Sequence, residues 1–146
     1  RIDDVMNIIQ TFYDNMASHY DKLFLDWDAS TLEQALVLDK IFFDNGFDKS
    51  ASILDCACGI GTQAIGLASL GYSIVGSDIS EAELMEAMKR AERHHVSIDF
   101  LHADFCALSD VFPDKFDIVI CMDNALPHML SFADLGRAAC SIINQL

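Results

Sequence analysis

The stretch Ile53-Leu54-Asp55-Cys56-Ala57-Cys58-Gly59-Ile60-Gly61-Thr62 decides the fold of this chain. Its apolar first half predicts a short buried strand, and its glycines predict a turn into a helix that begins near Thr62. Gly59 and Gly61 carry no side chain, so a ligand can approach the backbone of the turn closely. Because the first amides of the helix point into the same turn, the arrangement is typical of a nucleotide-like ligand site.

Strand and helix patterns alternate along the rest of the chain. Helical spacing predicts a helix over residues 5–20, and a capping box at Ser30 with a stop at Gly46 predicts a second over 31–45. Further patterns predict strands over 52–56, 72–77, 96–101 and 116–122, and helices over 62–70, from the capping box 80–83 to about 94, and after a cap at Ser131. This order predicts an α/β fold, in which helices cover both faces of a parallel sheet.

The composition excludes several classes of partner. A formal net charge of −14 repels polyanions, so nucleic acid is not an expected partner. No apolar run is long enough to cross a membrane, and the first residues lack a signal-peptide pattern. The five cysteines show no zinc or redox spacing, which favours reduced thiols, a cytoplasmic location and no bound metal.

The predicted elements divide the chain into a helical segment over 1–50, expected to act as a lid, and a ligand-binding half-domain over 51–146. The strand that contains Phe116-Asp117-Ile118-Val119-Ile120 is as apolar as a central strand, and a bare apolar edge promotes aggregation. We therefore expect further polypeptide beside it, and we interpret residues 1–146 as the N-terminal portion of a longer domain.

Two kinds of ligand fit the glycine turn. Gly59-Ile60-Gly61-Thr62-Gln63-Ala64 matches the dinucleotide fingerprint, with Asp78 at the distance of a ribose-binding acid, so a nicotinamide-dependent oxidoreductase stays open. Asp55 inside the first strand and Asp104 beside Phe105 favour a different ligand. The Asp55 carboxylate can accept hydrogen bonds from loop amides or, through water, from a ligand ammonium. The Asp104 carboxylate can bind an adenine amino group.

Four stretches carry a resemblance to a known family. Leu54-Asp55-Cys56-Ala57-Cys58-Gly59-Ile60-Gly61 resembles motif I of class I S-adenosylmethionine-dependent methyltransferases, with Ala57 in place of a glycine. Tyr13-Asp14-Asn15-Met16-Ala17-Ser18-His19-Tyr20-Asp21 resembles a preface of small-molecule members, and Phe116-Asp117-Ile118-Val119 resembles the motif IV strand. The segment Asp123-Asn124-Ala125-Leu126-Pro127-His128 is most similar to glycine and sarcosine N-methyltransferases.

The resemblance implies a Rossmann-like fold with strand order 3-2-1-4 for the part present, the last strands of the family being absent. It implies S-adenosylmethionine as cofactor, S-adenosylhomocysteine as product, and a small-molecule acceptor such as the amine of glycine or sarcosine. It implies catalytic, acceptor-placing roles for Asn124 and His128. The implied cofactor-binding residues are Tyr20, Trp27, Asp55, Ala57, Cys58, Gly59, Gly61, Thr62, Asp78, Ile79, Asp104, Phe105 and Met122.

Three interpretations follow from these patterns. A methyltransferase is favoured, and the oxidoreductase is the second class of enzyme. The third is a non-catalytic nucleotide-binding or interaction domain that uses the same fold. Tyr20 and Trp27 stay open between a lid over the methionine end of the cofactor and a place in the core of the helical segment. A homo-oligomer is compatible with the sequence.

Overall fold

A computed structural model describes residues 20–122 and 131–146, with the backbone alone for 20–25. The strands are β1 (Ser52–Asp55), β2 (Ser73–Asp78), β3 (Asp99–His102) and β4 (Ile118–Ile120). The helices are α1 (Tyr20–Asp44), α2 (Thr62–Ser69), α3 (Glu81–Arg93) and α4 (Phe132–Ile143), and a short 3-10 turn spans Leu108–Asp110. The strands form one parallel sheet in the order β3-β2-β1-β4, which confirms the predicted fold class and strand order.

The strand register brings the functional segments to one edge of the sheet. Asp55, the last residue of β1, pairs with Gly76 of β2 and Ile120 of β4. Asp78 at the end of β2 pairs with His102 at the end of β3. Because all four strands are parallel, the segments that follow them begin at the same carboxyl edge, where ligands bind in open α/β sheets.

Apolar residues pack on both faces of the sheet because successive strand side chains point to opposite sides. Ile53 of β1 lies in one buried cluster with residues of α1 and α2, including Ala35, Leu38, Phe42, Ala64 and Leu67. Leu54 lies in a second cluster on the other face with Cys56, Ala103, Leu108 and Phe112. Both faces of the sheet are therefore covered within the described residues.

The start of α1 differs from the prediction. The capping box at Ser30 was expected to begin a helix at Thr31, but α1 runs without a break from Tyr20 to Asp44. The Ser30 hydroxyl accepts a hydrogen bond from Gln34 Nε2 at 3.0 Å instead of capping the helix. No proline or glycine precedes Ser30 in α1, so nothing forces the extended backbone that an N-cap requires.

The other boundaries agree to within a few residues. Gly46 and Gly71 have the positive φ of helix stops, and Ser131 caps α4 through a hydrogen bond from Asp134 N. β3 begins three residues later than predicted because the chain first turns through His95, whose φ is 56°. β4 is shorter than predicted at both ends, and the 3-10 turn was not predicted.

The predicted helix over residues 5–20 lies outside the described residues up to residue 19. Among the helices that the structure describes, none is both long enough and apolar enough to cross a membrane.

Candidate functional site

The loop between β1 and α2 is a tight turn built on two left-handed glycines. Gly59 has a φ of 52° and Gly61 a φ of 87°. The turn is closed by a hydrogen bond from Gly61 N to Cys58 O at 2.8 Å, and Cys58 N donates to Ser77 O of β2 at 2.9 Å. A methyl group on Gly61 would lie 3.0 Å from Ile65 Cδ1 and 3.3 Å from Ala87 Cβ, so these neighbours would have to shift by a few tenths of an ångström, and the φ of Gly61 would be strained as well. No side chain caps α2, whose N-cap is Gly61.

Asp78 holds the glycine loop to the end of β2. Its Oδ2 accepts a hydrogen bond from Gly59 N at 2.9 Å, and its Oδ1 accepts one from Ser80 N at 2.9 Å. Sequence reasoning assigned the capping of α3 to Ser80, and Ser80 Oγ does accept from Glu83 N at 3.3 Å. Asp78 therefore joins the loop, β2 and the start of α3, and its oxygens keep lone pairs for a ligand.

The capping box 80–83 predicts two hydrogen bonds, and the one from Ser80 N to the Glu83 carboxylate is absent. In a capping box the glutamate at the third helical position accepts from the N-cap amide. Here the amide of Ser80 donates to Asp78, and the Glu83 carboxylate turns toward the glycine loop instead. Its Oε2 lies 3.0 Å from the position that a Cβ on Gly59 would take. Sequence reasoning did not select Glu83, although its third helical position was visible in the capping-box pattern.

Three carboxylates surround the base of the loop. Asp55 is fully buried at the end of β1. Burial and the charges of Asp55 and Asp78 raise the pKa of the Cys58 thiol well above its usual range. Burial and the charge of Asp78 also raise the pKa of Glu83. Burial is the larger cause of both shifts, and the neighbouring carboxylates add negative charge, which favours a positively charged ligand.

The segment after β3 lies next to Asp78. Ala103 N donates to Asp78 O at 3.0 Å, so Asp104 begins at the same edge of the sheet. Asp104 Oδ1 accepts from Cys106 N at 2.8 Å and so closes its own turn, while Phe105 packs against the cluster around Leu54. Asp104 is exposed. The exposed Ile79 follows Asp78, with its carbonyl oxygen 3.0 Å from His102 Nε2.

Trp27 lies where α1 meets α2 and α3. Its Nε1 donates to Thr62 Oγ1 at 3.2 Å, and the Arg90 guanidinium carbon lies 4.5 Å from the centre of its ring. The ring of His94 packs edge-on against it, with 5.6 Å between ring centres, and His94 Nε2 lies 3.1 Å from Asp28 Oδ1. Trp27 thereby links the long N-terminal helix to the first residue after the glycine loop. Its proposed contact with the cofactor stays a prediction.

The remaining predicted residues divide into two groups. Ala57 is half-buried in the glycine loop, and Met122 is half-buried after β4, where it packs against the core cluster of Ile53. The side chain of Tyr20 and the whole of Asn124 and His128 lie outside what the structure describes. No local pattern marks Arg90 and His94 as partners of Trp27, because Trp27 lies far away from them in the chain.

No group of three or more histidine, cysteine, aspartate or glutamate side chains within the described residues is arranged to hold a metal ion. All five cysteines are free thiols. Cys56, next to Asp55, follows β1 in register with Cys121 after β4, and its N donates to Ile120 O at 3.0 Å. The site therefore offers carboxylates, backbone amides and thiols as its polar groups.

Comparison with known proteins matches the chain to methyltransferases. A family model described as a methyltransferase domain matches residues 53–146. The chain is 26% identical over 129 residues to a glycine/sarcosine N-methyltransferase of Parasynechococcus marenigrum (strain WH8102), covering 88% of this chain and 44% of that protein. The chain spans about half the length of the curated relatives it matches.

Solved structures show the same fold. An S-adenosylmethionine-dependent methyltransferase from Clostridium acetobutylicum ATCC 824 is 23% identical with a TM-score of 0.71, over 92% of this chain and 53% of that one. A magnesium protoporphyrin IX methyltransferase from Synechocystis PCC 6803, solved with bound SAM, is 23% identical with a TM-score of 0.67, over 80% of this chain and 55% of that one.

Proposed function

Since this chain belongs to the methyltransferase-domain family, as its motifs predict, we propose that it binds S-adenosylmethionine at the glycine loop and transfers the methyl group to a small amine such as glycine or sarcosine. The observation that carries the proposal is the hydrogen bond from Gly59 N to the Asp78 carboxylate, which lies near the carboxylates of Asp55 and Glu83. These groups fit a cationic ligand with a ribose diol, because carboxylates accept from hydroxyls and attract positive charge.

The same carboxylates argue against the oxidoreductase alternative. A nicotinamide dinucleotide places its anionic pyrophosphate against the glycine loop. The negative charges of Asp55, Asp78 and Glu83, which add to the effect of burial on the pKa of Cys58, oppose an anion at that place. S-adenosylmethionine carries a sulfonium, an ammonium and a carboxylate, so its net charge is positive and the field favours it.

The chain's own residues would align and enclose the reactants. When bound, S-adenosylmethionine supplies a methyl group on a positively charged sulfur, which leaves as a neutral thioether when an amine lone pair displaces it. Asp78 and the amides of the loop would hold the ribose end, and Asp104 the adenine end. A neutral amine needs little help from a base, so alignment is the main requirement, and orientation contributes roughly 7–11 kcal/mol in favourable cases.

We propose Asn124 and His128 for the acceptor site. Both residues follow β4 in the sequence, and β4 ends beside β1 at the sheet edge that holds the glycine loop. An amide and an imidazole suit the carboxylate and amine of a small amino acid, because both side chains hydrogen-bond in neutral form. We place the enzyme in the cytoplasm, which agrees with its five free thiols.

Titration calorimetry with S-adenosylmethionine and with NAD tests the cofactor, and a methylation screen of glycine, sarcosine and dimethylglycine tests the acceptor. Asp78→Ala should weaken S-adenosylmethionine binding by tens-fold, since hydrogen bonds to charged groups contribute about 1.5–3 kcal/mol. Asn124→Ala should lower turnover while cofactor affinity stays within a few-fold. Binding of NAD alone would favour the oxidoreductase, and binding of neither ligand would leave the interaction domain.

A further inference from the structure

The carboxylate of Glu83 occupies a place that its helix does not require. As the third residue of α3, Glu83 would normally accept from the amide of Ser80, but that amide donates to Asp78. The Glu83 side chain extends instead over the Cα of Gly59, where its Oε2 lies 3.0 Å from a Cβ built on that glycine. No lysine, arginine or histidine forms an ion pair with it among the residues described.

This placement costs free energy in the unliganded protein. The carboxylate is partly desolvated and close to the charge of Asp78, and both effects raise the pKa of Glu83. The positive end of α3 offsets part of this cost, because acidic groups in the first turn of a helix interact favourably with its dipole. Glu81 gives the same benefit from the same turn, with an exposed side chain. The dipole therefore does not account for the position of Glu83 over the loop.

Asp78 is already partly engaged by the backbone before a diol binds. Each of its oxygens already accepts one backbone N–H, from Gly59 and from Ser80. A ribose offers two hydroxyl donors, and a second carboxylate beside Asp78 would share them. The Glu83 side chain is solvent-accessible and lies against the same glycine whose amide Asp78 binds, so the two carboxylates face one ligand position.

We propose that Glu83 is a second ribose-binding residue of the cofactor site, accepting a hydroxyl hydrogen bond next to Asp78 and adding negative charge that favours the cation. The inference rests on the proposed function, since it assumes an adenosyl cofactor at the glycine loop. The fit of the group comes from the turn itself: at Gly59, whose φ is 52°, a side chain would be strained and its Cβ would crowd the Glu83 carboxylate.

Calorimetry on matched variants tests the assignment without any measurement of activity. Glu83→Ala should weaken binding of S-adenosylhomocysteine about tenfold, the factor for about 1.4 kcal/mol, which is near the lower end for a hydrogen bond to a charged group. Glu81→Ala is the control, because it removes the same charge from the same helical turn, and its affinity should stay within twofold. Glu83→Gln keeps the shape of the side chain and removes only its negative charge. This variant should weaken the binding of S-adenosylmethionine more than the binding of S-adenosylhomocysteine.

Analogues of S-adenosylhomocysteine that lack the 2′- or the 3′-hydroxyl identify the contact. For one of them, the loss of affinity relative to the parent should be clearly smaller in Glu83→Ala than in the wild type. Two results would overturn the assignment: equal losses of affinity in the wild type and in Glu83→Ala for both analogues, or equal affinities of Glu83→Ala and Glu81→Ala for S-adenosylhomocysteine. In either case, binding of S-adenosylhomocysteine by the wild type would still support the proposed cofactor. A wild-type protein that binds neither S-adenosyl ligand would overturn both.

Discussion

Replacement of Gly66 by alanine is the sharpest test of how α1 packs on the domain. Gly66 lies in the middle of α2 and faces α1, and a Cβ built on it would lie 2.7 Å from Thr31 O and 2.9 Å from Ala35 Cβ. The opposing atoms belong to the backbone and to an alanine, so no flexible side chain can move aside. To restore ordinary contact distances, α1 must move outward by more than half an ångström.

Two effects of opposite sign decide the outcome. Alanine is favoured over glycine within a helix by about 1 kcal/mol. Overpacking of a close contact costs about 1–3 kcal/mol, and the rigidity of the opposing atoms places Gly66→Ala in the upper part of that range. The free energy of unfolding should therefore fall by roughly 1–2 kcal/mol.

Urea unfolding followed by circular dichroism measures this difference. Gly136→Ala is the matched control, because Gly136 also lies within a helix, α4, but nothing lies within 4 Å of its built Cβ. That variant should gain roughly 0.5–1 kcal/mol from helix propensity alone. If Gly66→Ala were as stable as the wild type, or gained as much as Gly136→Ala, the close packing of α1 on α2 would be wrong.

Three further outcomes follow from named contacts. Trp27→Phe removes the hydrogen bond to Thr62 and should lower the free energy of unfolding by about 1 kcal/mol, whereas Thr62→Val combined with it should add little. Asp117→Ala should lower the melting temperature at neutral pH, because hydrogen bonds from Ser52 stabilise the Asp117 carboxylate and lower its pKa. This stabilisation is present above the pKa of Asp117 in the unfolded chain and is lost as the pH falls through its lower pKa in the folded protein. The melting temperatures of variant and wild type should therefore become equal in acid. Cys140 is exposed and should react with a thiol reagent at pH 8. Cys56 and Cys58 should react only on unfolding, because both are buried and have a raised pKa: the hydrogen bond with Cys121 and burial raise the pKa of Cys56, and burial and the charge of Asp55 raise that of Cys58; fast labelling of all thiols in folded protein would contradict these surroundings.

The fold was largely predictable because its signals are local. Gly59 and Gly61 indicate a turn because glycine readily adopts a positive φ, and Gly46 and Gly71 end helices because they too adopt a positive φ. Ser80 and Ser131 cap the helices that follow them, as their spacing predicts. The position of Asp78 after the second strand predicted its place at the glycine loop.

Tertiary structure decided which of several possible partners each polar group has. The capping pattern at Ser30 does not begin a helix, since the helix already runs through it. The capping pattern at Ser80 keeps only one of its two hydrogen bonds, because Asp78 takes the other amide.

What the sequence determined by itself is the order of elements and the location of the glycine loop, because these depend on residues within one or two turns of chain. What only the tertiary structure decided is the environment of Glu83 and the junction at Trp27, where Thr62, Arg90 and His94 meet. Their partners are set by how α1 and α3 pack around the loop. That packing brings together residues separated by tens of positions, so no local pattern contains it.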